Sequence, residues 1–174
     1  YDAALPLEHS TEVELRGLVQ RIAARFQPAA AARDVRLDIA AEHALVRGDE
    51  RLLDRIITNL VDNAVKFCLP GGVVNVELRK QDVAVLTVRD GGPGVRPEHA
   101  PQLFVRFFRG DPARRRSEGT GLGLAIAKAG AEAHGGRLEF IENSPGATFR
   151  LTLPLTNAAW QAGYASADDA AIGS

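Results

Sequence analysis

Asn59 and Asn63 stand four residues apart in a stretch of helical spacing, and Lys66 follows three later, so the three side chains share one flank of a helix. Amide oxygens suit Mg²⁺, a hard cation that takes few protein ligands and completes its shell with water and phosphate oxygens. A lysine one turn further on can neutralise phosphate charge. The same spacing also suits an ordinary solvent-facing flank. A second candidate is Asp90-Gly91-Gly92-Pro93-Gly94, which directly follows a β-branched run. A buried carboxylate at such a strand end could accept a hydrogen bond from the exocyclic amino group of adenine, whereas guanine would present an oxygen to it. Sites built around one required hydrogen bond discriminate by about 10⁴. Alone, an Asp-Gly pair equally marks a plain turn.

Gly119-Thr120-Gly121-Leu122-Gly123-Leu124 runs straight into a helical pattern. Unpaired backbone N–H groups and the positive end of the helix dipole would then meet at a glycine turn, an arrangement that suits phosphate. No Gly-Lys-Ser/Thr is present, and a loop rather than a strand precedes the turn, so neither the Walker nor the dinucleotide pattern applies. A flexible hinge is the other reading. Between the two glycine clusters, Arg106, Arg109, Arg114, Arg115 and Arg116 surround Leu103, Phe104, Phe107 and Phe108. Such a loop could close over a polyphosphate while Phe104 and Phe107 anchor it to the core. Arg109, beside the aromatic cluster, is the one singled out, because a basic run is otherwise a solvated loop.

The elements that must position these groups follow from periodicity. Val13, Leu15, Leu18, Val19, Ile22, Ala23 and Phe26 predict a helix over 12–32, which Pro28 interrupts or ends. Val35, Leu37 and Ile39 alternate with polar residues as in a half-buried strand. Gly48-Asp49 offers an N-cap to a helix over 52–67, whose apolar positions Leu53, Ile56, Ile57, Leu60, Ala64 and Val65 recur every three or four residues. Runs at 73–78 and 83–88 predict an antiparallel hairpin. Residues 91–120 are too long and irregular for a plain connector. A helix over 122–134, a strand over 137–141, a turn at Ser144-Pro145-Gly146 and a strand over 147–153 complete the pattern. This mixed order predicts an α/β sandwich whose mixed sheet carries helices on one face.

The 174 residues allow one domain and a tail. With 45% apolar and 25% charged residues and a net charge of -1, the balance excludes a nucleic-acid binder. The single cysteine, Cys68, excludes an internal disulfide framework, makes a poor metal ligand and fits a reducing, cytoplasmic setting. No apolar run reaches the roughly 18 to 20 residues of a membrane span, and no signal peptide opens the chain. A start at Tyr1 and the lack of methionine lead us to expect a piece of a longer protein, whose other parts could include membrane spans.

Taken in order, the four segments resemble the ATP-binding domain of sensor histidine kinases, within the broader family shared with the ninety-kilodalton chaperone, DNA gyrase and mismatch-repair ATPases. The likeness covers roughly residues 12–155, leaving 1–11 as a linker from an absent upstream domain and 156–174 as a flexible tail. In "TNLVDNAVKF" it implies that Asn63 coordinates Mg²⁺ while Asn59 and Lys66 contact the phosphates; Phe67 stands where tyrosine is common. In "DGGPG" it makes Asp90 the adenine reader, with Gly92 and Gly94 shaping the pocket. In "LFVRFFRG" it brings Arg109 to the γ-phosphate, and Val105 replaces a usual glutamate. In "GTGLGLAIA" it places Gly119, Thr120, Gly121, Leu122 and Gly123 at the nucleotide. His134-Gly135-Gly136 and the final "SPGATFRLTLP" also fit. An aromatic lid followed by arginine separates the chain from the gyrase and chaperone branches.

The fold so implied is the Bergerat-type two-layer α/β sandwich, with a mixed sheet of about five strands and three main helices on one face. The activity implied is that of a protein-histidine kinase in a two-component phosphorelay. The domain would bind Mg-ATP and pass the γ-phosphoryl group to a histidine on the upstream dimerisation domain, for relay to a response regulator. Asn63, Lys66 and Arg109 would then act by positioning and charge neutralisation. The acceptor pattern is absent from this chain: Glu8-His9-Ser10-Thr11 lacks an acidic residue after the histidine, and His43, His99 and His134 lie elsewhere. The resemblance further implies a homodimeric parent anchored in the membrane, this segment being cytoplasmic without nucleic-acid or direct membrane contact. The alternative is a nucleotide-sensing module with an inactive lid, for which Val105 is the support.

Overall fold

Alternating burial builds the sheet. Along β5 (Val83–Arg89), Ala84, Leu86 and Val88 point inward while the intervening side chains are half exposed. Its neighbours continue each row: Leu86 stands opposite Leu78 of β4 (Val73–Lys80) and Leu151 of β7 (Thr148–Pro154), and Val88 opposite Val76 and Phe149. With β2 (Arg36–Ala41) and β6 (Arg137–Glu142) at the edges, the order is β2-β4-β5-β7-β6. The β2–β4 pair is parallel and the other three pairs are antiparallel, so the sheet is mixed. The computed structural model on which these statements rest describes residues 7, 9–92, 104, 123–142 and 146–156.

Three helices cover the inner face of this sheet: α1 (Leu15–Ala32), α2 (Glu50–Phe67) and α3 (Gly123–Ala133). α2 buries Leu53, Ile56, Ile57, Leu60, Val61, Ala64 and Val65. A fully buried Leu or Ile is worth about 1.5–3 kcal/mol, so this stripe, more than helix propensity, holds α2 in place. The outer face is polar and carries ion pairs such as Arg36–Asp38 at 2.7 Å and Arg150–Glu139 at 3.5 Å. One covered and one solvated face is the usual state of a largely antiparallel sheet. Among the described residues the architecture is the two-layer α/β sandwich that the resemblance implied, with a five-stranded mixed sheet and three helices. Among the described residues no helix is long and apolar enough to cross a membrane.

Two elements depart from the sequence reading. Residues 12–14 are not helical: they belong to β1 (Ser10–Glu14), which pairs antiparallel with β3 (Leu45–Asp49) in a separate ribbon, Val13 opposite Val46. The helix starts after Glu14 because that carboxylate caps it, accepting the Gly17 N–H at 2.6 Å. Pro28, expected to interrupt or end α1, lies inside it. Pro28 and Ala24 are both exposed, so water can satisfy the Ala24 carbonyl that proline leaves without a donor.

Asp49 caps α2 as expected. Its Oδ1 accepts from the Arg51 N–H at 3.0 Å and the Leu52 N–H at 3.4 Å. Burial raises the pKa of this carboxyl, but donation by the backbone N–H groups of Leu52, Arg51 and His9, with the His9 ring nearby, outweighs burial and lowers it on balance.

Candidate functional site

The amphipathic pattern of α2 leaves Asn59, Asn63 and Lys66 half-buried on one flank beside the apolar stripe. Asn59 Nδ2 donates to the carbonyl oxygen of Gly123 at 3.1 Å. Gly123 is the first residue of α3, so the asparagine row meets the start of that helix. Helix N-terminal N–H groups and the positive dipole end gather there, next to amide side chains. Lys66 Nζ pairs with Asp62 at 3.0 Å, four residues earlier on α2. That pair is partly exposed and weak, so the ammonium can turn to a phosphate at little cost.

Asp90 follows β5 and is 5% exposed. Its Oδ1 accepts from the Gly92 N–H at 2.8 Å and the Ala147 N–H at 3.2 Å, and its own N–H donates to the Ala147 carbonyl at 3.0 Å. Two glycines permit this packing. Gly146 has φ +72°, and a Cβ there would fall on the Asp90 carbonyl oxygen and lie 2.8 Å from Oδ1. A Cβ on Gly92 would meet the Phe67 carbonyl oxygen and lie 3.0 Å from Asp90 Oδ1. The last residue of α2 thereby abuts the Asp90 turn. Gly146→Ala is expected to cost about 2–4 kcal/mol of stability through strain at positive φ and displacement of Asp90. Urea unfolding would measure it, with a lowered midpoint at unchanged slope.

Two further residues bear on this corner. Thr148 is buried, and its Oγ1 has no hydrogen-bond partner among the described residues, although Ala147 just before it holds Asp90. A buried hydroxyl of this kind calls for a ligand or water partner. The sequence reading placed residue 148 in the 147–153 strand and in the "SPGATFRLTLP" end, without a role of its own. Cys68 packs beneath Gly72 and Gly91; burial, together with the Asp90 carboxylate, pushes its thiol up, which makes it unreactive at neutral pH.

Of the expected site residues, Asn59, Asn63, Lys66, Asp90, Gly92 and Gly123 are therefore placed. Gly94, Arg109, Gly119, Thr120, Gly121 and Leu122 lie outside the described residues, as do Val105 and Phe107. Phe104 packs edge-on against Phe149, with ring centroids 6.1 Å apart, and Lys128 Nζ lies 5.8 Å above its ring. Among the described residues no group of three or more His, Cys, Asp or Glu side chains is placed to hold a metal ion.

Known proteins resemble this chain in sequence and fold. The family profile described as Histidine kinase-, DNA gyrase B-, and HSP90-like ATPase matches residues 48–157. Sensor histidine kinase MtrB of Mycobacterium tuberculosis is 46% identical over 121 residues, covering 68% of this chain and 21% of that protein. The chain thus spans about a fifth of the length of that relative. Among solved structures, the mycobacterial sensor histidine kinase MprB superposes with a TM-score of 0.73 at 32% identity, over 84% of this chain and 98% of that one. Full-length ShkA in complex with AMPPNP gives a TM-score of 0.74 at 28% identity, over 88% of this chain and 32% of that one. Over its folded core the chain belongs to the histidine kinase-, DNA gyrase B- and HSP90-like ATPases, as an ATP-binding catalytic domain of the sensor histidine kinase type.

Proposed function

We propose that the chain binds Mg-ATP between the α2 flank, the Asp90 turn and the start of α3, and presents the γ-phosphate to a histidine on a separate upstream domain. The observation that carries this reading is the buried Asp90 carboxylate, fixed by two backbone N–H groups at the end of β5. A fixed carboxylate suits the exocyclic amino group of adenine. At the other end, Asn59 draws the α3 start toward the asparagine row, where N–H groups can hold phosphate oxygens.

Asn63 offers the hard oxygen that would hold Mg²⁺, which when bound offsets the charge of the phosphates. Lys66 exchanges Asp62 for a phosphate, and Arg109 neutralises charge on the transferring group. On this reading residues 1–11 are the linker to the phosphoacceptor and dimerisation domain, 12–155 the catalytic domain and 156–174 a tail. A response regulator as the next acceptor, a homodimeric parent and a membrane anchor elsewhere in it extend the same likeness to sensor kinases.

Calorimetric titration with ATP, ADP and GTP, with and without Mg²⁺, tests the binding. Tight Mg-dependent adenine-nucleotide binding with GTP excluded is expected, and equal affinity for ATP and GTP would overturn the role of Asp90. Adding the isolated upstream domain in trans tests transfer. If ATP binds and phosphohistidine never forms, the chain is a nucleotide sensor and not a kinase.

A further inference from the structure

His134 follows the last residue of α3, and its ring lies against the start of α2. Its Nε2 accepts the Asp49 amide hydrogen at 3.1 Å, and its Nδ1 lies 2.7 Å from the Gly130 carbonyl oxygen. A ring that accepts at Nε2 must donate at Nδ1 to satisfy both contacts, which selects the neutral Nδ1–H tautomer. Gly48 makes the approach possible, since a Cβ there would fall on the ring, 2.5 Å from Nε2. Asp49 is itself the cap of α2, so one peptide N–H ties the end of α3 to the residue that starts α2.

The second tie, Asn59 to Gly123, lies at the opposite end of the same helix pair. Between the two, Gly130 brings the α3 backbone against Ile56 and Leu52; a Cβ on Gly130 would lie 2.7 Å from Ile56 Cδ1. The helices therefore run antiparallel, and α3, at 11 residues, spans about 16 Å at 1.5 Å per residue, which matches the stretch of α2 from Asp49 to Asn59. A polar contact at each end and close packing between them set how far α3 can slide along α2. Any slide would carry Gly123, the start of α3, along the Asn59–Asn63 row.

We propose that His134 is a positioning residue for nucleotide binding: it fixes the register of α3 on α2, and so the spacing between the phosphate-facing start of α3 and the asparagine row. The inference rests on the Mg-ATP reading above. A purely structural His134 would change stability and leave the affinity of the folded protein alone.

The test compares the unaltered chain with His134→Ala and His134→Gln, with Mg-ATP affinity read by calorimetry well below each protein's thermal midpoint. His134→Ala is expected to bind Mg-ATP about tenfold more weakly or worse, on the scale of one lost hydrogen bond. Glutamine offers one acceptor and one donor, so His134→Gln is expected to recover most of that loss. An alanine variant that keeps wild-type affinity and loses only thermal stability overturns the inference.

Should His134→Ala fail to fold, the unaltered chain decides through its imidazole ¹⁵N signals and the hydrogen exchange of the Asp49 amide. Saturating Mg-ATP is expected to shift the former and slow the latter; no change in either overturns the inference. A wild-type chain that binds no Mg-ATP at all overturns the nucleotide reading and this one with it.

Discussion

Asp90→Asn is expected to weaken ATP binding by about a thousandfold or more in a protein that still folds, because a site built on one hydrogen bond loses most when its acceptor becomes a donor. The substitution is nearly isosteric. The asparagine carbonyl oxygen can keep the Gly92 and Ala147 N–H bonds that Oδ1 accepts at 2.8 and 3.2 Å. The second carboxylate oxygen becomes an NH₂ group, which would face the amino group of adenine as donor against donor. Calorimetry on the folded variant shows the loss, and urea unfolding measures any change in stability separately. Asp90→Ala is the contrasting variant, since it also strands both N–H groups and should lower stability by about 1–3 kcal/mol for each one left unpaired. An asparagine variant with wild-type ATP affinity and wild-type rejection of GTP would remove Asp90 from the role of base reader.

The parts of this site that sequence reveals are those whose cause is local. The cap at Asp49, the apolar stripe of α2 and the alternation along β5 each follow from a few neighbouring residues, and each is realised in the fold. The β1–β3 ribbon was not legible, because its five-residue strands carry no sustained alternation and Val13 fits a helical stripe as well as a buried strand position. Pro28 was misleading for a related reason: whether proline ends a helix depends on which side faces water, and that is decided by packing.

The asparagines illustrate the limit at the site itself. Their spacing marks a polar flank, yet the partner of Asn59 is Gly123, 64 residues away. Only the sheet order, which sets α2 and α3 side by side, brings them together. The same holds for His134, which reaches Asp49 across 85 residues. Residue types announce what a side chain can do, and long-range pairing determines what it does.

Asn63→Ala is expected to remove the metal dependence of nucleotide binding, lowering ATP affinity in Mg²⁺ by about a hundredfold, toward the value found in EDTA. Asn63 lies one turn beyond Asn59 on the same flank and is half-buried, with no side-chain hydrogen bond among the described residues. Truncating it should therefore leave the fold intact, and the unfolding free energy from urea titration should stay within about 0.5 kcal/mol of wild type. Asn59→Ala should behave differently, because its Nδ2 holds Gly123 and its loss frees the start of α3; stability and nucleotide affinity should fall together. Mg²⁺ titrations at fixed ATP separate the two cases. In Asn63→Ala the affinity should no longer rise with added metal, whereas in Asn59→Ala it should still rise from a lower base. If the Asn63 variant responds to Mg²⁺ as the wild type does, its amide oxygen is not a ligand, and the metal must be held by phosphates and water alone.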